Sequence, residues 1–141
     1  MMTEHTPEER NWAIAAHLSA LVAVVGVPFG HVIGPLVVYL IQRDKSSFAA
    51  SHARASLNFQ ITLSIAALLF FVLAFAGWAV FIVSISSRDA TLPLWAVGAW
   101  FTFLCVVLLA VGLAIALVVA GAVAASNDRP YRYPFTFTFV R

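Results

Sequence analysis

The chain has 141 residues, 62% of them hydrophobic and 10% charged, where an average soluble domain has about 45–50% and about 25%. Eight basic and six acidic side chains are too few to cover a small water-soluble domain with polar groups. Composition therefore excludes a disordered chain, a nucleic-acid binder with a charged surface and an ordinary soluble globule. A small integral membrane protein remains. The single cysteine, Cys105, excludes an intramolecular disulfide and a cysteine-cluster metal site.

All the charges fall into four windows: 4–10, 43–54, 88–89 and 128–141. Between them lie uncharged stretches over 11–42, 55–87 and 90–127, of 32, 33 and 38 residues. A spanning helix needs about 20 apolar residues, so every stretch is long enough to cross. The expected architecture is an all-α, integral-membrane bundle of four helices in one multi-pass domain (1–141). The helices are expected over about 8–26, 31–42, 51–86 and 93–125, with an extended aromatic tail over 126–141.

The first stretch breaks at Gly26, Pro28, Gly30, Gly34 and Pro35, because proline lacks a donor and disfavours helix at the residue before it. Thr6-Pro7-Glu8-Glu9 reads as a helix start, with a capping hydroxyl, proline at the first position and acids in the first turn. The second segment, about 12 residues or roughly 18 Å, must cross a thinned bilayer, extend through its flanks, or dip in and return. The Pro28, Gly30, Gly34, Pro35 break then lies at the far interface or lines a protected space.

In the second stretch Ser51, Arg54, Asn58 and Thr62 share a helix face, and His52, Arg54, Asn58 and Gln60 form the candidate polar working surface. The third stretch starts at Pro93 and ends at Ser126-Asn127-Asp128. Gly112, Ala116, Ala120 and Ala124 recur every four residues, a ladder that lets another helix approach closely. In the tail, an extended chain would set Tyr133, Phe135, Phe137 and Phe139 on one side and Arg132, Thr136 and Thr138 on the other. That face serves as an interfacial anchor or as a strand that recruits a partner.

Orientation follows from the basic residues. A hairpin over 8–42 puts Arg10, Arg43, Lys45, Arg54, Arg129, Arg132 and Arg141 on one side against Arg88 on the other. That makes the termini cytoplasmic in a bacterial inner membrane. A single bent crossing would move Arg10 alone. The acidic extreme N-terminus lacks the positive region of a cleavable signal.

No acidic residue lies in an apolar stretch, and no nucleophile–base constellation, metalloprotease helix or phosphate loop is present. His17 is expected to be a neutral buried polar group bonded across helices. No catalytic residue, metal or cofactor is expected. The expected partners are the lipid bilayer, a second copy or other membrane proteins, and no nucleic acid.

Trp12, His17-Leu18-Ser19-Ala20-Leu21, the run Pro28–Leu36, Arg43-Asp44, Phe48, His52, Leu57-Asn58-Phe59-Gln60 and Tyr131-Arg132-Tyr133-Pro134-Phe135 carry a family likeness. The chain resembles small bacterial membrane proteins grouped with the twenty-kilodalton subunit of the chloroplast inner-envelope translocon (the Tic complex). His31, where the pattern has asparagine, and Ser47, where it has proline, depart from it. The resemblance implies a four-helix bundle and kinship with a protein-conducting component. The leading expectation is a non-enzymatic channel-like or scaffold subunit of a membrane assembly. The alternatives are a metal or haem enzyme built on His17, His31 and His52, and a passive envelope or stress protein.

Overall fold

Thr6 starts the fold. Its hydroxyl accepts the Glu9 backbone N–H while the Glu9 carboxylate accepts the Thr6 N–H at 2.9 Å, a capping box with Pro7 at the first helical position. Helix α1 runs Pro7–Leu18 and passes directly into a 3-10 segment, Ser19–Val25, closed by Gly26 in the left-handed region (φ 88°). Helices α2 (Gly30–Gln42), α3 (Ser47–Ser86) and α4 (Leu94–Ser126) follow. The computed structural model describes residues 5–26, 28–86 and 94–141, and no strand occurs among them. The expectations for Val27, Arg88, Asp89 and Pro93 lie outside the described residues.

The four expected helices are present, with shifted ends. The first is shorter as an α-helix, because its last seven residues tighten into 3-10 geometry ahead of the Gly26–Pro28 break. The third begins at Ser47 rather than 51. The Ser46 hydroxyl accepts the Ala49 backbone N–H at 3.2 Å and caps it.

The chain divides into two compact units, Met1–Leu63 with Ala114–Arg141, and Ser64–Leu113. The first is held by small residues. Ala13, Ala16 and Ala20 of α1 and its extension, Ala49, Ala50 and Ala53 of α3, and Ala122 and Ala125 of α4 are all buried. Ala16 and Ala53 cluster with Val38 of α2, and Ala13 with Phe48 and Ala125. Side chains this short let helix backbones approach closely, which is how helices associate without a hydrophobic drive. A hydrogen bond and an ion pair tie the ends together. Glu9 Oε1 accepts the Ser46 hydroxyl at 2.8 Å, and Arg10 Nη1 pairs with Asp128 Oδ2 at 3.2 Å. The start of α1, the α2–α3 turn and the end of α4 therefore meet, and a single bent crossing over 11–42 is excluded.

The second unit pairs the later part of α3 with the beginning of α4 through aromatic contacts. Phe70 stacks on Phe103 (centroids 5.5 Å), Trp78 meets Trp100 edge-on at 4.8 Å and Phe81 meets Trp95 at 4.9 Å. The most apolar windows of α3 and α4 are 0% and 6% buried. Two helices that expose nearly every apolar side chain do not form the core of a soluble protein. At 1.5 Å per residue the 40 residues of α3 and 33 of α4 reach about 60 and about 50 Å, well beyond the about 30 Å of bilayer hydrocarbon.

The expected small-residue ladder is left unpacked within the chain over most of its length. Gly112, Ala116 and Ala120 are exposed, and a Cβ on Gly112 would meet nothing within 4 Å. The close approach on α4 is at Gly121, where a Cβ would lie 2.6 Å from His17 Nδ1; on α2 it is at Gly34, 2.5 Å from the Ser19 carbonyl oxygen. Gly121→Ala and Gly34→Ala should each cost about 1–3 kcal/mol through overpacking. Gly112→Ala should be neutral or stabilising by up to about 1 kcal/mol. Thermal unfolding in detergent measures all three.

Candidate functional site

The buried polar groups of the first unit converge beneath the C-terminal tail. His17, near the end of α1, is fully buried, and both its ring nitrogens are engaged. Nδ1 lies 2.7 Å from the Tyr133 hydroxyl and Nε2 lies 2.9 Å from His52 Nδ1. The helix places His17 opposite Gly121, and the missing Cβ there makes room for the ring. Tyr133 stacks face to face on Phe59 of α3 (4.1 Å, 9° between planes). Burial raises its hydroxyl well above the ordinary tyrosine range, so the phenol stays protonated at neutral pH.

The three side chains form one hydrogen-bonded chain that admits two proton arrangements with both rings neutral. In one, the Tyr133 O–H donates to His17 Nδ1 and the His17 Nε2–H donates to His52 Nδ1. In the other, both donations reverse. Either way His17 finds the partners that a buried polar group requires, and α1, α3 and the tail are locked together.

Asn58 holds the tail further along. Its Oδ1 accepts the backbone N–H groups of Phe139 (3.0 Å) and Val140 (2.8 Å), and its Nδ2 donates to the Val140 carbonyl at 3.0 Å. The Thr62 hydroxyl accepts the Phe137 N–H at 3.2 Å. One amide side chain thus reads the main chain as a neighbouring strand would, and strand geometry is not needed.

The four candidate polar residues do not share a face. His52 and Gln60 lie about 120° and about 160° around the helix from Asn58. His52 turns to α1 and Asn58 to the tail, while the Arg54 guanidinium sits 5.9 Å over the Tyr39 ring of α2. Gln60 is buried. In the Gly/Pro break, Gly30 and Gly34 pack on the 3-10 segment, Pro35 is buried and Pro28 is exposed. Gly30 and Gly34 of the break, His52 through Nδ1, and Asn58 are thus taken up by contacts within the protein. The expected single aromatic face of the tail is also absent. Phe135 adopts a left-handed backbone (φ 53°) and is 96% exposed, while Tyr133 is buried. The turn at Pro134-Phe135 breaks the alternation.

Two features were missed in the sequence: Tyr133 as the partner of His17, and Gly121 as its seat. A tyrosine that must bury its ring seeks a partner for its hydroxyl, which is the signal available for the first. Nothing local distinguishes Gly121. Among the described residues no group of three or more His, Cys, Asp or Glu could hold a metal ion. The second unit contains a cleft of about 480 Å³ lined by Phe71, Phe75, Trp78, Trp95, Trp100 and Phe103 among others. It suits hydrocarbon and offers no acid or base.

Two long helices whose most apolar windows are exposed, beside a polar knot closed by the protein's own tail, are consistent with a helical membrane bundle. The chain belongs to the MamF/MmsF family, the magnetosome magnetite crystal formation protein family, whose model matches residues 8–140. No curated protein and no solved structure matches it. The family match overturns the resemblance to the translocon-related proteins, and the protein-conducting role it implied falls with it. Gly30, Gly34, His17, His52 and Asn58, which carried part of that likeness, serve close packing and internal hydrogen bonds here, uses open to any helical membrane protein.

Tyr133→Phe leaves His17 short of a partner and should cost about 1–3 kcal/mol. With His17→Phe the two losses should be less than additive in a double-mutant cycle. At the surface, Glu9 is held below the usual carboxylate range, chiefly by the Thr6 backbone N–H and then by Ser46. A depressed pKa contributes stability above the ordinary carboxylate pKa of about 4.3 and loses it as the pH falls below. Glu9→Gln should flatten that acid limb of the stability profile.

Proposed function

We propose that the protein is a non-enzymatic scaffold of the membrane in which magnetite crystals form, with its termini on the cytoplasmic side. The family match over residues 8–140 carries this reading. Two observations support the non-enzymatic part. His17, His52 and Asn58, the groups best suited to chemistry, are engaged in bonds that lock α1, α3 and the tail. The aromatic cleft has no general base with an orienting partner. The cytoplasmic placement rests on seven of the eight basic residues falling in windows that the hairpin brings to one side.

One observation favours a second reading, a histidine-based metal or haem enzyme: His17 and His52 are in contact. Both His17 nitrogens are occupied, so a metal at His17 would have to displace a native hydrogen bond.

A fluorescent fusion of the full chain in magnetite-forming cells should concentrate at crystal-bearing membranes. Loss of the gene should alter crystal size or number, and a His17→Gln variant that keeps the fold should restore both. A fusion spread evenly over the inner membrane with unaltered crystals contradicts the proposal. Stoichiometric metal or a Soret band in the purified protein would favour the second reading.

A further inference from the structure

We propose that the hairpin of α1, the 3-10 segment and α2 inserts into a single leaflet, and that this one-sided insertion draws the protein to curved bilayers whose convex leaflet carries it. The proposal rests on the membrane reading of the fold and not on the magnetite role.

Length is the first ground. The returning leg, α2, has 13 residues and ends at Gln42, with Arg43, Asp44 and Lys45 directly after it. At 1.5 Å per residue it reaches about 20 Å. The whole bilayer, headgroups included, is about 40–45 Å thick, so one leaflet is about 20–22 Å. With Arg43 and Lys45 exposed among headgroups, the tip around Gly26 and Phe29 stops near the midplane. The outgoing leg is bound to the same level, since Glu9 is bonded to Ser46 beside the α2–α3 turn.

The surface is the second ground. The returning leg keeps an apolar stripe exposed, Ile33, Val37 and Leu40 at helical spacing, and Leu18 is exposed on the outgoing leg. Their inner stripe is consumed by packing, with Gly34 against Ser19 and Gly30 against Val22 and Ala23. Phe29, at the tip, is 72% exposed in a left-handed backbone. No charge occurs over residues 11–42. At the α2–α3 turn above the hairpin, exposed Arg43 and Lys45 offer cations to anionic headgroups. Acyl chains of the leaflet beneath those headgroups are the occupant that matches both features.

An element confined to one leaflet adds area to that leaflet alone. The mismatch is relieved where that leaflet is convex, so insertion becomes curvature-sensitive.

The test uses the full chain with Cys105→Ser, reconstituted in vesicles of phosphatidylethanolamine and phosphatidylglycerol. Single cysteines at Lys45, Ser86 and Phe29 are probed with a membrane-impermeant maleimide. Lys45→Cys and Ser86→Cys should label from opposite faces and Phe29→Cys from neither. Labelling of Phe29→Cys from the Ser86 face means a full crossing, and from the Lys45 face a surface helix; either overturns the proposal. Lys45→Cys labelled from outside then counts only molecules whose hairpin lies in the outer leaflet. Their density per lipid should be at least about twofold higher on vesicles of about 30 nm than of about 400 nm. Ile33→Gln with Val37→Gln, both on the exposed stripe, should abolish that difference. Equal density of the unaltered hairpin at the two sizes overturns the curvature claim even if the labelling pattern holds.

Discussion

Hydrocarbon gives an unpaired polar group nothing to bond with, and this constraint orders the molecule. Backbone groups must be satisfied within each segment, so the chain is helical wherever it is uncharged for long. Two buried side chains follow the same rule. His17 tolerates full burial because Tyr133 and His52 complete it, and Asn58 because the tail's own backbone does. The tail, which forms no helix or strand, is ordered by these debts.

Much of this was legible in the sequence, because charge exclusion and Gly/Pro breaks act locally. The three uncharged runs, the capping sequence at Thr6 and the break at Gly26–Gly30 each announce an element through chemistry that depends on few neighbours. The working surface was not legible. Asn58 and Arg54 sit on one stripe by helical arithmetic, but which stripe meets α1, α2 or the tail depends on pairings between distant segments. The alanine-rich α4 illustrates the limit: a regular ladder is exposed at 112, 116 and 120, while the irregular Gly121 receives His17. Spacing marks a face without saying what lies opposite.

The family assignment changes the meaning of the site more than its geometry. A translocon relative would need its polar residues to border a path. Here Asn58 binds the tail, His52 binds His17, and the Gly/Pro break packs on the 3-10 segment. These contacts fix the shape of the first unit from within. Such a shape suits the scaffold role we propose, and the proposed one-leaflet hairpin would give that role a physical means.

All of this depends on lipid surrounding the apolar lengths of α3 and α4. Extraction of native membranes with alkaline carbonate followed by ultracentrifugation tests it most directly. The full chain should remain in the pellet and enter solution only with detergent. Recovery as a monodisperse species in the detergent-free supernatant would contradict the account.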